Sequence, residues 1–283
     1  MRRKKPEWIK LKIQGSKTLR SVESVLDNMH LNTVCSEANC PNKMECFEMG
    51  TATFMIMGKN CTRNCKFCNV TTRKPMPLDP FEPRNLALAV RELGLRHAVI
   101  TSVDRDDLED EGANHFAEVS RLVREYNPKT TVELLIPDFH AREDLLDIVM
   151  DTRPNVLNHN IEVVPELFDH ICPQSNFEHS MKVLDYAKRV KGLVTKSGMM
   201  VGFGETFEMV VNVMKRLREV NCDMLTIGQY LQPSTKHIAV SEYVHPDIFD
   251  EYRKIGKELG FKRVDSGPFV RSSYHAQALN DEE

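Results

Sequence analysis

At 283 residues, 41% of them hydrophobic and 28% charged, the chain has an ordinary globular composition and room for one large domain or two smaller ones. A formal net charge of −3 gives no basic excess for nucleic acid, and no apolar run approaches the roughly 18 residues of a membrane span. Eight cysteines without an export signal argue against a disulfide scaffold.

The amino-terminal MRRKKPEWIKLKIQG is locally basic. No apolar stretch follows it, so a secretory signal is not expected, and the segment reads as a solvated, frayed end of a cytoplasmic protein. Cys35, Cys40 and Cys46 come next, in CSEANCPNKMEC, with the spacing C-x4-C-x5-C. This trio is expected to form a metal site. Cys61, Cys65 and Cys68 follow in GKNCTRNCKFCNV, spaced C-x3-C-x2-C. Structural zinc takes four protein ligands and a disulfide framework takes an even number of cysteines. Three closely spaced thiolates instead suit three irons of a [4Fe–4S] cube, with the fourth iron open to something other than protein.

From residue 51 the pattern alternates. The β-rich runs TATFMIM, RHAVITSV, TVELLIP, NVLNHNI, LVTKSGMMVG and MLTIGQYL are separated by helical segments such as NHFAEVSRLVREY and FEMVVNVMKRLREV. A repeat of about 25 to 40 residues suits βα units with right-handed crossovers. Six units are too few for a closed eight-stranded barrel. The expected fold is therefore α/β, a partial (β/α)6 TIM-type barrel, with a doubly wound sheet as the alternative.

Either architecture puts its chemistry at the C-terminal ends of the strands. The second cysteine trio follows the first of these runs, and polar residues close the others: Ser102, Asp104, Asp138, Asn158, Asn160, Lys196, Ser197 and Gln229. Singly each reads as a turn or cap residue; together they read as the wall of one polar pocket. Cys172 and Cys222 read as small buried hydrophobes.

The C-x3-C-x2-C motif after the first strand, with Phe67 before its last cysteine, resembles the radical S-adenosylmethionine enzymes. CSEANCPNKMEC, TATFMIMGKNCTRNCKFC, VITSVDRDDL, LNHNIE, TKSGMMVGFGET, TIGQYLQPSTKH and SGPFVRSSYHA, in that order, resemble the lipoyl synthase family nearly end to end. The resemblance implies two [4Fe–4S] clusters and S-adenosylmethionine, which is cleaved by one electron to a 5′-deoxyadenosyl radical that removes hydrogen from unactivated carbon. It implies insertion of two sulfur atoms, at C6 and C8, into an octanoyl chain on a lysine of a lipoyl carrier domain. An auxiliary cluster gives up the sulfur.

Residue by residue, Cys61, Cys65 and Cys68 match the radical cluster's ligands. Cys35, Cys40 and Cys46 match those of the auxiliary cluster, whose fourth ligand is a serine of RSSY. In an extended segment Ser272 and Ser273 point to opposite sides, and the family's motif favours Ser273. Ser102, Asp104, Asn160 and Gln229 are candidates for holding S-adenosylmethionine. Gly202 and Glu205 lie in GMMVGFGE, which fits the family's adenine-contacting G-x-I-x-G-x-x-E with Met200 in place of Ile. Arg271 is placed to anchor the terminal segment, and Cys172 stands where this family often carries a basic residue.

The implied organisation is an N-terminal cluster-binding extension (1–50), a radical barrel (51–245) and a C-terminal tail (246–283) closing over the pocket. Implied partners are an octanoylated carrier (2-oxoacid dehydrogenase E2 or glycine cleavage H protein), a ferredoxin or flavodoxin, and an iron–sulfur carrier protein. No nucleic acid or membrane partner is expected. A methylthiotransferase acting on tRNA or a ribosomal protein is disfavoured by the missing basic appendage and by the RSSY tail. A zinc-binding interaction module is the alternative from outside enzymology.

Overall fold

The structure, a computed structural model, describes residues 4–9, 17–37, 40 and 42–273. Tyr274 of RSSY and the rest of the tail expected to close over the pocket lie outside the described residues. The chain divides into two compact units. One contains Ile13–Arg63, Asn69–Leu157 and Ser273–Glu283; the other contains Met1–Lys12, Asn64–Cys68 and Asn158–Ser272.

The first unit is built on β1 (Thr51–Ile56), β2 (His97–Ser102), β3 (Thr131–Leu135) and all but Asn158 of β4 (Val156–Asn158), neighbours in that order. β1 pairs parallel with β2 and β2 with β3, while the short Asn32–Thr33 runs antiparallel along β1. Every residue of β1 is buried. A strand covered on both faces reads as a continuous apolar run, not as an alternation. The helix Glu82–Glu92 turns Leu86, Ala87, Ala89 and Val90 inward, and Pro83 sits in its first turn, where a missing N–H costs nothing. Its buried Glu82 carboxylate accepts from the Met57 N–H at 2.9 Å and lies 2.6 Å from His115 Nε2. That pins Met57, whose φ of +66° is costly for a side chain of this size, at the entry to the second cysteine motif.

The second unit carries β5 (Thr195–Val201), β6 (Met224–Gln229) and β7 (Arg263–Gly267), all parallel and again neighbours in sequence order. Thr206 caps the helix Phe207–Glu219 by accepting from the Met209 N–H at 3.3 Å. Within each unit the order follows the sequence, without the reversal of a doubly wound sheet. The fold is α/β with a mostly parallel sheet. All six expected runs are strands, and β7 is a seventh. Its sequence, RVDSG, holds only Val264 as a large apolar residue and gave no strand signal.

The frayed amino terminus is corrected over its described part. Ile9 is buried and the Trp8 ring meets His245 edge-on at 4.9 Å. These two apolar side chains outweigh the basic character of the segment and hold it on the second unit.

Candidate functional site

In the first unit, Cys35 lies on the short helix Val34–Glu37 and Cys46 on Lys43–Glu48, with Cys40 between them. The Cys40 N–H donates to the Cys35 carbonyl at 3.1 Å, and the Lys43 N–H to the Cys40 carbonyl at 3.4 Å. Burial, then the neighbouring Cys40, pushes the Cys35 thiol up to about 11. Burial, then Cys35 and Cys40, pushes Cys46 up to about 12. Each of these two thiols feels the charge of its neighbours in the trio. Ser273 belongs to this same unit, whereas Ser272 belongs to the other. The chain turns at residues 272–273, so the alternation expected of an extended segment does not operate there.

Cys61 ends the short strand Asn60–Cys61, which pairs with Thr71–Thr72. Its sulfur accepts from two amides, Arg63 N–H at 3.4 Å and Asp104 N–H at 3.3 Å, and lies 3.5 Å from Asp104 Oδ2. Two N–H groups aimed at one sulfur favour charge on it. Burial and then the Asp104 carboxylate act the other way, lifting the thiol to about 12. Arg63 is 4% exposed and encased by acids. It is bidentate on Asp106, at 3.0 Å from Nε and 2.7 Å from Nη2, and donates to Asp138 at 2.9 Å. Burial is the main cause holding the Asp104 carboxyl above its usual range. At the C-terminal end of β2 the buried Ser102 Oγ has no hydrogen-bond partner among the described residues.

In the second unit, the Cys68 N–H donates to the Cys65 carbonyl at 3.0 Å, and Lys66 between them is clasped from two sides. Its N–H donates to the Ile171 carbonyl at 2.9 Å and its carbonyl accepts from the Ile238 N–H at 3.2 Å. His237 Nε2 sits 2.9 Å from the Cys68 carbonyl, with Ser234 Oγ 2.9 Å from the other ring nitrogen. Cys172 is buried as expected of a small hydrophobe, but its thiol is hydrogen-bonded to Cys65. That contact, followed by burial, holds it far above the usual thiol range. Cys222 is buried with its sulfur 3.3 Å from the Met224 carbonyl.

The polar strand ends divide into two kinds. Asn160 Oδ1 and Ser197 Oγ are buried without partners among the described residues, although Asn160 Nδ2 donates to Glu162 at 3.2 Å. A Cβ at Gly198 would come within 2.6 Å of Asn160 Oδ1, so glycine there keeps the recess open. Gln229 is different. Its Nε2 donates to the Val201, Tyr230 and Glu242 carbonyls at 3.2, 3.1 and 2.9 Å, and its Oε1 accepts from the Val244 N–H at 2.8 Å. That amide has no donor left for a ligand. Glu205 likewise accepts from the Gly202 and Phe203 amides at 2.5 and 3.0 Å. Gly202 needs to be glycine, because its φ is +111° and a Cβ would meet Gln229 Nε2 at 2.1 Å. Gln229 and Glu205 together fix the turn around Gly202.

The residues present fit an iron–sulfur and S-adenosylmethionine site. All eight cysteines are thiols, the usual holders of such clusters. In the first unit the unpartnered Ser102 oxygen, and in the second unit those of Asn160 and Ser197, are acceptors suited to polar, cationic groups.

Comparison with known proteins agrees. The sequence profile of the Radical SAM superfamily matches residues 55–217. The lipoyl synthase of Caldanaerobacter subterraneus subsp. tengcongensis is 54% identical over 274 residues, covering 96% of this chain and 96% of that one. That of Chlorobaculum parvum is 52% identical, covering 98% and 95%. The chain belongs to the lipoyl synthase family. Fold relatives are more distant from this lipoyl synthase family member. Methylornithine synthase is 15% identical with a TM-score of 0.57, over 95% of this chain and 85% of its own. The FeFe-hydrogenase maturase of Carboxydothermus hydrogenoformans is 12% identical with a TM-score of 0.56, over 95% and 83%.

For this family member the raised thiols carry a pH signature. Cys35 rises to about 11, and Cys46 and Cys61 to about 12, from a usual value of 9.0. Below pH 9 the thiols are neutral in both folded and unfolded chains, so the stability linked to them is fully present. Above it the unfolded chain sheds protons first, and stability falls as pH rises towards 12. A thermal melt of the reduced, metal-stripped protein between pH 8 and 11 should show a falling midpoint. A flat profile would contradict the raised thiols. Sequence reading passed over Arg63 and His237; a charged residue inside a cysteine motif and a histidine ending QPSTKH were the available signals.

Proposed function

We propose that the two cysteine trios divide the lipoyl synthase reaction between them. Cys61, Cys65 and Cys68 hold the cluster that activates S-adenosylmethionine; Cys35, Cys40, Cys46 and Ser273 hold the one that surrenders sulfur. The reaction is the family's, radical S-adenosylmethionine-dependent insertion of two sulfurs at C6 and C8 of an octanoyl chain on a lipoyl carrier domain. The carrying observation is 54% identity along 96% of the chain. When bound, S-adenosylmethionine and its cluster supply a carbon-centred radical and the second cluster supplies sulfur.

The chain's residues bind, orient and shield. Two amides at Cys61 favour its thiolate, and Asp104 beside it presents a carboxylate suited to an ammonium group. Ser102 and Asn160 offer buried acceptors for the rest of the cofactor. Gly202 lends main chain to the adenine, in a turn that Glu205 and Gln229 hold from behind. A C-terminal segment (246–283) serves the auxiliary cluster of the 1–50 extension, and the 51–245 barrel serves the radical chemistry. The segment is seated through β6, where a Cβ at Gly228 would meet the Val270 carbonyl at 2.2 Å.

Finer partners are part of this reading: an octanoylated E2 or H protein, a ferredoxin or flavodoxin reductant, an iron–sulfur carrier for rebuilding the spent cluster, and no nucleic acid. No described helix is long and apolar enough to cross a membrane, in keeping with work in the cytoplasm.

Ser273 gives the sharpest test. Oxygen is a poorer match than thiolate for this kind of iron, so Ser273 would hold its corner of the cluster more weakly than a cysteine would. Ser273→Ala should retain cofactor cleavage but lose the second sulfur insertion, read by mass spectrometry on an octanoyl-lysine peptide. Ser273→Cys should keep its cluster and turn over poorly. Full lipoyl yield from Ser273→Ala would move the assignment to Ser272.

A further inference from the structure

We propose that the Cys172 thiol donates a hydrogen bond to the Cys65 sulfur and thereby raises the reduction potential of the cluster that Cys65 holds. The inference rests on Cys65 being a ligand of the radical cluster. A sulfur bonded to iron has given up its proton, so the proton between these two sulfurs belongs to Cys172. The contact is built rather than incidental. Cys172 is 1% exposed and lies in an apolar core with Phe168, Ile171 and Phe177, against which Cys65 packs. Its N–H donates to the Phe168 carbonyl at 2.7 Å at the end of the helix Pro165–Ile171. One residue earlier, the Ile171 carbonyl accepts from Lys66, the neighbour of Cys65, at 2.9 Å. Two backbone anchors therefore fix the pair of sulfurs.

Reduction adds negative charge that the cluster shares with its sulfur ligands. A donor on one of those sulfurs stabilises the reduced form more than the oxidised form, and hydrogen bonds to sulfur are among the main determinants of such potentials. Cys172 is then a positioning residue that acts through Cys65. Its effect is to let a weaker reductant load the electron.

The test is an EPR-monitored redox titration in a background carrying Cys35→Ala, Cys40→Ala and Cys46→Ala, so that one cluster is observed. Cys172→Ala should lower the reduced-to-oxidised ratio at fixed potential about three- to tenfold, roughly 28–59 mV for a one-electron couple. Cys172→Ser, which keeps a donor, should stay close to the parent. A parental potential in Cys172→Ala, or a Cys172→Ser that falls with it, overturns the proposal. Should Cys172→Ala load no cluster, Cys172→Thr against Cys172→Val carries the same contrast at nearly equal volume, and equal potentials for that pair overturn it equally. Cys65→Ala in the same background separates the two levels. If it retains a full complement of iron, the ligand assignment has failed. If it loses iron while the Cys172 series shows no shift, only the hydrogen-bond inference has failed.

Discussion

Cys65→Ala should reduce 5′-deoxyadenosine formation to background. A cluster with an open iron has only three protein ligands, and removing one leaves two corners without protein. Cys65 sits in a turn held by the Cys68 N–H and by main-chain bonds to Ile171 and Ile238, none of which uses its side chain. The fold should therefore survive the substitution while the metal site does not. Iron analysis should show a loss of about four irons per chain, and circular dichroism should be unchanged. Undiminished 5′-deoxyadenosine from a reconstituted, reduced sample would exclude the C-x3-C-x2-C motif as the cleaving site.

The combined replacement of Cys35, Cys40 and Cys46 by alanine should have the opposite signature. Iron should fall to about half, cofactor cleavage should persist, and sulfur insertion should vanish, because the proposed division gives this trio the sulfur source and not the radical. The trio belongs to the first unit, whereas Cys65 and Cys68 belong to the second. Loss of cleavage with the remaining cluster demonstrably loaded would show that the two trios do not divide the labour in this way.

The barrel strands were legible because parallel strands buried on both faces leave unbroken apolar runs: TATFMI and MLTIGQ are buried at every position. RVDSG left no such trace, since four of its five residues are not fully buried. The cysteine trios stood out in the sequence because their spacing alone suggests metal ligation. The polar strand ends were less legible one by one. Sequence cannot tell an amide that faces a ligand from one that faces main chain, and so Asn160, with an oxygen left over, and Gln229, saturated by four backbone groups, looked alike. Cys172 looked like filler because its partner, Cys65, is more than a hundred residues away. Trp8 was lost in a basic segment whose charge suggested solvent.

Arg63 has a consequence for wear and repair. The guanidinium that steadies the stretch after Cys61 is held by the carboxylates of Asp106 and Asp138. On the proposed ligand assignment, loss of iron from this motif leaves those ion pairs in place, and refitting the metal should need no refolding of the loop. An enzyme that spends one cluster in each catalytic cycle benefits when the other can be restored in place. Its working lifetime is then set by the supply of iron and sulfide and not by the durability of the polypeptide.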